Sequence, residues 1–390
     1  MPSRTLMLFP EPPYPLHGGG ALRSAGLLAY FARHAPVDAI LFREAGAEDP
    51  RDAIPAGLVR CSLLIDLPAH SKGTGARALR NLDRARRGVP PLVDRFAGCE
   101  DQIARFCRGL RWDTAVIEHF WCAPYRPLLA RHASRVVLDL HNVESVLYER
   151  CSTEHGWPVS AFYRRFARRC RAIEREQLGR FDLVLAASAA DASRARAIAP
   201  GSRVEVYPNT IPSREAPRTS RRRQIIFSGN FEYDPNKAAA VWFGRMIWPL
   251  IHRRHPDLEW VLLGRNPEAV RGAVGGLPNV RLTGPVPDAL PELARSLAAV
   301  VPLRSGSGTR IKILEAWSAG APVVSTTVGV EGLPREGVLT ADTPAAFAGA
   351  VERLVGSPEL REDMALRAQK LFQENFTWEK GWNVLGRIGL

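Results

Sequence analysis

No apolar run in this sequence reaches the roughly eighteen residues that a membrane-spanning helix requires. This absence predicts a soluble or peripheral protein. The N-terminal stretch MPSRTLMLFPEPPYP contains only a short apolar run. That run is typical of a first β-strand rather than of a secretory signal peptide, which has a longer apolar region.

Paired cysteines are also missing. The six cysteines all lie in the first half of the chain, and none forms a C-x-x-C pair or has a histidine at zinc-site spacing. Disulfides persist in oxidising compartments, so reduced cysteines in a cytosolic protein are the simplest account. We therefore predict a cytoplasmic location.

Acidic residues are few relative to basic ones. There are 40 Asp and Glu residues against 53 Lys and Arg, which gives a formal net charge of +13. Such an excess of positive charge would favour binding to nucleic acid, to an anionic membrane or to a phosphorylated substrate. Arginines concentrate in residues 164–175 and 218–223, but no RNA- or DNA-binding signature accompanies them, so we expect no nucleic-acid partner. The segment 164–175 is then either a solvated helix face or a peripheral contact with the anionic inner face of a membrane.

Short apolar runs alternate with amphipathic segments along the chain. This alternation predicts parallel, doubly wound α/β sheets. We predict strands at residues 5–9, 37–42, 114–120, 135–140, 182–188, 203–207, 224–229, 259–264, 279–284, 298–303 and 321–326. We predict helices at residues 21–33, 159–178, 236–254, 289–297, 309–319 and 343–373.

The alternation is interrupted once, by a proline-rich and basic stretch. At 390 residues the chain is long enough for two domains. We therefore predict two Rossmann-like domains facing a cleft. The predicted parts are an N-terminal domain at 1–207, a linker at 208–223, a C-terminal domain at 224–375 and a C-terminal helix at 376–390 that packs back on the first domain.

The stretch VPLRSGSGTRIKILEAW begins at residue 301 and contains the most candidate functional residues. A predicted strand ends, a turn containing Gly306 and Gly308 follows, and a helix begins with Ser307 or Thr309 as its expected N-cap. Free N–H groups and the positive end of a helix dipole favour a phosphate at such a place. The nearby cations Arg310 and Lys312 would add to that attraction.

Glu315 follows Lys312 by three residues and therefore shares its helix face. Its neighbours are apolar, and an unpaired carboxylate is costly in such surroundings. Two interpretations remain open at this point. Glu315 is either the structural partner of Lys312 or a carboxylate that accepts hydrogen bonds from a sugar diol.

Two nucleotide-binding fingerprints are absent. The sequence has no G-x-x-x-x-G-K-[ST] motif at the turn before Arg310. Gly18, Gly19 and Gly20 follow the first predicted strand but lack the G-x-G-x-x-G spacing of a dinucleotide site. These departures argue against a P-loop NTPase and an NAD enzyme.

Two segments of the second half together resemble a known family. PLRSGSGTRIKILEAWSAGAPVVSTTVGVEGL and the earlier FSGNFEYDPNKAAAVWF are similar to the C-terminal domain of family 4 retaining glycosyltransferases. HGGGALRS and LDLHNVES are the matching pieces in the N-terminal half. The resemblance implies the GT-B fold, a sugar-nucleotide donor, a carbohydrate or glycoconjugate acceptor, and no bound metal or cofactor. In agreement, no D-x-D candidate is flanked by the usual strand.

The resemblance assigns roles in the C-terminal domain. It implies that Glu315 holds the nucleotide ribose. The family often has a second glutamate eight residues earlier, where this chain has Ser307. The family also grips the diphosphate with an arginine and a lysine after the first strand of this domain. Here Asn230 follows Gly229, so the arginine is missing, and Lys237 is the candidate lysine. Backbone N–H groups of the turn Gly306, Ser307, Gly308 and Thr309, together with Arg310 and Lys312, are then the remaining donor-binding candidates.

In the N-terminal half, the resemblance favours a glycine loop at 18–20 that approaches the donor phosphates. The alternative is a flexible turn. His141 ends a predicted strand, and the family has a histidine in this region that touches the donor sugar. His119 follows another strand and is a candidate for the acceptor side, and His17 lies beside the glycine loop. Each of these histidines has a purely structural role as its alternative.

These observations predict a retaining hexosyltransferase that acts in polysaccharide or glycoconjugate assembly, with His141, Arg310 and Lys312 as its catalytic candidates. Cations and helix N-termini would stabilise the departing diphosphate. The alternatives are a nucleotide-sugar epimerase and an inactive nucleotide-sugar-binding protein of the same fold. The sequence does not specify the sugar, the base or the acceptor.

Overall fold

The chain divides into two compact units. In the computed structural model, the described residues are 3–16, 18–69, 73–216, 219–306 and 308–390. One unit contains Met1–Pro208 and Val384–Leu390, and the other contains Asn209–Asn383. His17 and Ser307 lie outside the described residues. Among the helices that are described, none is both long and apolar enough to cross a bilayer.

The first unit contains a seven-stranded sheet in the order β3-β2-β1-β4-β5-β6-β7. All of its paired neighbours run parallel. Its strands are β1 Thr5–Phe9, β2 Val37–Glu44, β3 Cys61–Leu67, β4 Trp112–Glu118, β5 Ala133–Leu140, β6 Leu183–Ala186 and β7 Val204–Val206. Its helices are α1 Gly19–His34, α2 Thr74–Arg87, α3 Pro91–Arg95, α4 Glu100–Cys107, α5 Arg126–Leu129, α6 Glu144–Thr153, α7 Val159–Gln177 and α8 Ala189–Ile198.

The second unit repeats this winding in a six-stranded sheet, ordered β10-β9-β8-β11-β12-β13. Its strands are also parallel: β8 Gln224–Ser228, β9 Glu259–Leu263, β10 Val280–Thr283, β11 Ala298–Val301, β12 Val323–Ser325 and β13 Val338–Thr340. Its helices are α9 Asp234–Trp242, α10 Trp248–Arg254, α11 Glu268–Val274, α12 Leu290–Ala294, α13 Ile311–Ser318, α14 Pro344–Gly356 and α15 Pro358–Asn375, and α16 Trp378–Arg387 follows. A π-helical turn, Phe243–Ile247, joins α9 to α10.

The strand order reverses at one place in each sheet, between β1 and β4 and between β8 and β11. In open parallel sheets, ligands bind beyond the carboxyl ends of the strands at such a reversal. The central strands there are fully buried, β1 along its whole length and β11 likewise. Helices cover both faces of a parallel sheet, so these strands are continuous apolar runs in the sequence.

The sequence analysis missed the edge strands β3 and β13. Only Ile65 and Leu67 of β3 are buried, so this strand has no continuous apolar run. A second difference is the predicted helix 343–373, which is two helices. Ser357 caps α15 through its hydroxyl, and Pro358 begins that helix because it cannot donate a hydrogen bond to α14.

The segment 208–223 makes contacts within the second unit. Ile211 pairs with Thr377 in a short parallel bridge, and the Arg221 guanidinium donates to the carbonyls of Ser296 and Gly320. The end of the chain is part of the first unit. There the Tyr30 hydroxyl donates to the Leu390 carbonyl over 2.5 Å.

Candidate functional site

The glycine loop of the first unit lies where the sheet order reverses. Gly18 has φ 99° and caps α1, a conformation that residues with a side chain rarely adopt. A Cβ on Gly20 would lie 3.2 Å from Glu11 Oε2 and 3.8 Å from His119 Nε2. The loop therefore passes close to the histidine that follows β4. Gly19 is the first residue of α1, whose N-terminus faces the same edge of the sheet.

His119 does not extend strand β4, which ends at Glu118 rather than at residue 120 as predicted. Its φ of 61° is unusual for a residue with a side chain and turns the chain sharply. The imidazole is 5% exposed and stacks between Trp121 and His141, with ring centroids 4.1 and 3.6 Å away. Among the described residues, neither ring nitrogen has a hydrogen-bond partner. Backbone strain of this kind concentrates at functional sites.

His141 is held in a buried network of charges. Its Nε2 lies 2.7 Å from Glu118 Oε2 and 3.1 Å from Asp139 Oδ2. The Arg23 guanidinium donates two parallel hydrogen bonds to the Asp139 carboxylate, over 2.8 and 2.6 Å. The Ser24 hydroxyl donates to Glu118 over 2.8 Å. Helix α1 thus supplies the two residues that orient the carboxylates at the ends of β4 and β5.

The charges of this network balance. The two carboxylates raise the pKa of His141 to about 9, so its imidazole is protonated at neutral pH. Burial and the Asp139 charge raise the pKa of Glu118, whereas Arg23 and His141 hold the pKa of Asp139 well below its usual range. Burial and the adjacent His141 cation lower the pKa of His119 well below its usual value. His119 is therefore a neutral imidazole stacked on an imidazolium.

Glu118, Asp139 and His141 bring oxygen and nitrogen atoms within 4.8 Å of one another, a spacing that a metal ion can use. These atoms are already engaged by Arg23, Ser24 and each other. A divalent cation would have to displace the proton of His141 and sit beside the Arg23 guanidinium. The residues present therefore fit a metal poorly.

The second reversal point is built around two glycines at the ends of β8 and β9. Gly264 has φ 139°, and a Cβ there would collide with the Gly229 carbonyl. A Cβ on Gly229 would lie 2.8 Å from Asn236 Nδ2 and 3.1 Å from Lys312 Nζ. Glycine at 264 therefore lets the two backbone turns approach each other, and glycine at 229 lets the chain approach the side chains of α9 and α13 closely.

Lys312 points back from α13 to this glycine. Its ammonium donates to Asn236 Oδ1 over 2.8 Å and lies 4.5 Å above the ring of Phe227. The Asn236 amide in turn donates to the Asn230 carbonyl over 2.9 Å. Burial and the neighbouring Arg310 lower the pKa of Lys312 to about 7. None of the described carboxylates lies within ion-pair distance of this lysine, and Glu315 acts on its charge only from farther away.

The turn before α13 needs glycine for its conformation. Gly306 and Gly308 have φ values of 122° and 76°. The buried Arg310 guanidinium donates to the Gly308 carbonyl over 2.9 Å and braces the turn. The N-cap of α13 is Arg310, without a side-chain bond, so the predicted capping by Thr309 is wrong. The carbonyl of Thr309 instead accepts a bond from the Asn209 amide over 3.0 Å.

The remaining donor-site candidates differ in their surroundings. Glu315 is half-buried on α13, and burial raises its pKa to about 7. The ammonium of Lys312 donates to Asn236, and no ion pair between Lys312 and Glu315 is formed among the described residues, which disfavours the interpretation of Glu315 as a structural partner. The side chain of Lys237 is exposed, and its neighbour Asn236 is the residue of α9 that contacts Lys312.

Several residues of both clusters were missed by the sequence analysis: Arg23, Ser24, Glu118, Asp139, Phe227, Asn236 and Asn266. One signal was available, because Asp139 stands inside an apolar strand, where a charge requires a partner. The asparagines of FSGNFEYDPNK gave no such signal. Asn266, which donates to Asn230 Oδ1 over 2.8 Å, comes from a different loop.

Comparison with solved structures identifies the fold. Sucrose-phosphate synthase from Thermosynechococcus elongatus matches with a TM-score of 0.76 at 15% identity, over 99% of this chain and 98% of that one. A TarM variant of S. aureus, in complex with fondaparinux, alpha-GlcNAc-glycerol and UDP, matches with a TM-score of 0.69 at 10% identity over 99% of both chains. HepE of Anabaena, in complex with UDP and glucose, matches with a TM-score of 0.66 at 13% identity over 99% of both chains.

Two sequence comparisons each match part of the chain. The model of glycosyl transferases group 1 matches residues 222–357. An uncharacterized 44.6 kDa protein from the cps region of Klebsiella pneumoniae is 23% identical over 168 residues, 40% of this chain and 43% of that relative's length.

The two doubly wound units and the structural matches define the GT-B fold, as the resemblance implied. Over residues 222–357 the chain is similar to the group 1 glycosyl transferases.

Proposed function

We propose that the protein transfers a hexose from a nucleoside diphosphate sugar to an acceptor hydroxyl, with retention of configuration, in polysaccharide or glycoconjugate biosynthesis. The observation that carries this proposal is the Lys312 ammonium, which lies beside Gly229 and has no carboxylate within ion-pair distance among the described residues. A cation surrounded by close-approaching backbone is a site for phosphate. The relative from a cps region supports the polysaccharide role.

The donor would bind in the second unit. Lys312 takes the diphosphate, and Glu315, three residues further along α13, accepts hydrogen bonds from the ribose hydroxyls. Partial burial of both groups strengthens these bonds, because fewer water molecules compete for them. Arg310 acts on the diphosphate through the turn that it braces.

The transferred sugar would be oriented by the first unit. His119 offers two ring nitrogens without partners among the described residues, which is suited to sugar hydroxyls. His141 would position His119 by stacking and keep it neutral. Glu118 and Asp139 are buried in ion pairs, so neither is placed as a nucleophile.

Front-face attack fits this arrangement. The bond between the sugar C1 and the diphosphate oxygen breaks as the acceptor oxygen bonds to C1 on the same face. The acceptor proton passes to the departing diphosphate oxygen. The work of the protein is then electrostatic, because cations and oriented N–H groups stabilise the charge that develops on the diphosphate.

The deciding experiment is a donor panel. Nucleoside diphosphates are screened by thermal shift, beginning with UDP, which the matched HepE and TarM structures contain. The stabilising nucleotide is then tested as its sugar conjugate, with and without oligosaccharide acceptors. Transfer with retained anomeric configuration supports the proposal. Donor epimerisation without acceptor, or binding without turnover, favours the epimerase or the inactive binding protein instead.

Sugar transfer is expected to persist in excess chelator. Lys312, Arg310 and the backbone of the glycine turn supply the positive charge that a metal supplies in other transferases, and Glu118, Asp139 and His141 fit a metal poorly. Rates are measured after EDTA treatment and after readdition of Mg²⁺ or Mn²⁺. A rate that falls with EDTA and returns with the metal would contradict this prediction.

Replacing Glu315 by glutamine is expected to weaken nucleoside diphosphate binding about tenfold to a hundredfold, because a hydrogen bond to a charged group contributes roughly 1.5–3 kcal/mol. Folding should remain intact, since Glu315 forms no ion pair among the described residues. Calorimetric titration gives the dissociation constant, and melting curves report folding. An unchanged dissociation constant would remove Glu315 from the ribose site.

Affinity for the nucleoside diphosphate is expected to be highest near pH 7. Lys312 binds phosphate as the cation, and its pKa is lowered to about 7, so affinity falls as pH rises above this value. Glu315 binds the ribose as the anion, and its pKa is raised to about 7, so affinity also falls as pH decreases. Titrations across this range test the bell shape. Lys312→Met should remove the alkaline limb and Glu315→Gln the acidic limb; a profile unchanged by both variants would refute the assignment.

A further inference from the structure

Helices α2 and α7 of the first unit form a cavity between them that is open to solvent. Its volume is about 280 Å³, and it is lined by Arg86, Arg87, Gly88, Arg165, Arg168 and Arg169. We call it the arginine cavity. Five of its six lining residues carry a permanent positive charge.

Contacts between the two helices fix two of these guanidiniums. Arg165 Nε donates to the Ala85 carbonyl over 2.5 Å, and Arg169 Nε donates to the Gly88 carbonyl over 2.7 Å. Arg165 and Arg169 of α7 therefore donate hydrogen bonds to backbone carbonyls at the C-terminal end of α2. Gly88 ends α2 with φ 67°, and a Cβ there would lie 2.9 Å from Arg169 Nε. A larger residue would displace the Arg169 guanidinium from the Gly88 carbonyl.

The protein neutralises only part of the charge in the cavity. Arg87 forms ion pairs with Asp83 and Asp94, over 2.8 and 2.9 Å. Arg86 and Arg168 have no ion pair or hydrogen bond through their side chains to any described residue. Arg165 and Arg169 use Nε for the backbone, which leaves the terminal N–H groups of each guanidinium for another acceptor. Like charges this close repel one another, and a bound anion would offset that cost.

We propose that the arginine cavity binds a phosphate-bearing anion. Guanidinium groups match phosphate oxygens with pairs of parallel N–H bonds, which makes arginine the preferred residue for such recognition. A volume of about 280 Å³ exceeds that of several water molecules at ~30 Å³ each and accommodates a diphosphate. The site lies within the first unit and does not depend on the proposed donor site.

Two sources of this phosphate are chemically equivalent at the cavity, a lipid headgroup and a soluble phosphorylated molecule. The surroundings of the cavity contain exposed apolar side chains. Leu79 and Leu82 of α2 are 70% and 48% exposed, and they precede Arg86 by seven and four residues, on the same helix face. Trp157, just before α7, is 84% exposed. The experiment therefore includes a vesicle arm.

Pyrophosphate is titrated calorimetrically into the full chain, and flotation is measured with phosphatidylcholine vesicles with and without phosphatidic acid. The test variant is Arg86→Gln/Arg168→Gln, which removes the two arginines without partners and keeps the contacts between the helices. The control is Arg131→Gln/Arg175→Gln, which removes the same charge from exposed positions elsewhere in the unit. All titrations are repeated with Lys312→Met added, so that binding at the proposed donor site is separated from binding at the cavity.

We expect the test variant to bind pyrophosphate at least about tenfold more weakly, and the control to stay within about twofold of wild type. Flotation with phosphatidic acid vesicles that is lost only in the test variant assigns the phosphate to a lipid headgroup. Pyrophosphate binding without flotation assigns it to a soluble molecule. No saturable binding in either arm, or equal weakening in the test and control variants, would overturn the proposal, whatever the outcome at Lys312.

Discussion

Replacing Lys312 by methionine is expected to lower the rate of sugar transfer by roughly 10²–10³-fold, the usual effect of removing one group that stabilises charge in the transition state. Charge develops on the diphosphate as the sugar leaves, and the Lys312 ammonium is held for that purpose by Asn236 and the face of Phe227. Methionine keeps the length and apolar character of the side chain. Steady-state rates and calorimetric titration of the nucleoside diphosphate measure the effect.

The melting temperature of Lys312→Met is not expected to fall together with its rate of sugar transfer. Burial lowers the pKa of Lys312 to about 7, which means that the folded protein disfavours its charged form. Removing the amine relieves that cost, so we expect the melting temperature of Lys312→Met to be maintained or raised. A variant that loses function but keeps its stability indicates that the replaced residue serves function rather than folding.

Lys237 provides the matched control. It lies on α9 beside Asn236, and its side chain is exposed. The family resemblance had made it the candidate for the diphosphate. Lys237→Met should leave transfer and binding nearly unchanged. The reverse pattern is a loss of transfer in Lys237→Met with normal rates in Lys312→Met. It would assign diphosphate binding to Lys237 and contradict our assignment.

Replacing His141 by alanine is expected to destabilise the first unit by about 3–5 kcal/mol, the usual cost of removing one partner from a buried ion pair. Asp139 would keep Arg23, but Glu118 would keep only the hydroxyl of Ser24. Because the pKa of His141 is raised to about 9, its stabilising effect should be complete below about pH 6.5 and decline as the pH rises through 9.

Two units rarely unfold as one, so the measurement must be local. Hydrogen exchange of the β4 and β5 amides reports the first unit, and its protection should fall in His141→Ala. Glu118→Gln/His141→Ala should recover part of that protection, because no unpaired carboxylate then remains. His132→Ala, at a half-buried histidine elsewhere in the unit, is the control. Equal protection in wild type and His141→Ala would refute the charge network.

The two sites use charge in different ways. Around His141, two cations and two anions balance, and the network fixes the geometry of His119. Around Lys312, the cation has no anionic partner among the described residues and is held by an amide and an aromatic ring. The first arrangement is complete in the protein alone. We propose that the second is completed by an anionic ligand, and this contrast is why we place the diphosphate in the second unit.

The sequence by itself determined the fold class and the places where the sites lie. Buried parallel strands are continuous apolar runs, so nearly all of them could be predicted from local pattern. The strands β3 and β13 could not, because β3 buries only two of its residues, and β13 has three residues of which one is buried. The glycine turn at Gly306 and Gly308 was visible too, since it combines residues with special dihedral angles and cations.

Only the tertiary structure decided which side chains meet. Arg23 and Asp139 are 116 residues apart, and Lys312 and Asn236 are 76 residues apart. No local pattern predicts such pairs, because α1 reaches β5, and α13 reaches α9, only after each sheet has formed around its central strands. For the same reason the sequence left open whether Lys312 pairs with Glu315, its neighbour on the helix. In the folded second unit Lys312 donates to Asn236, and Glu315 forms no ion pair among the described residues.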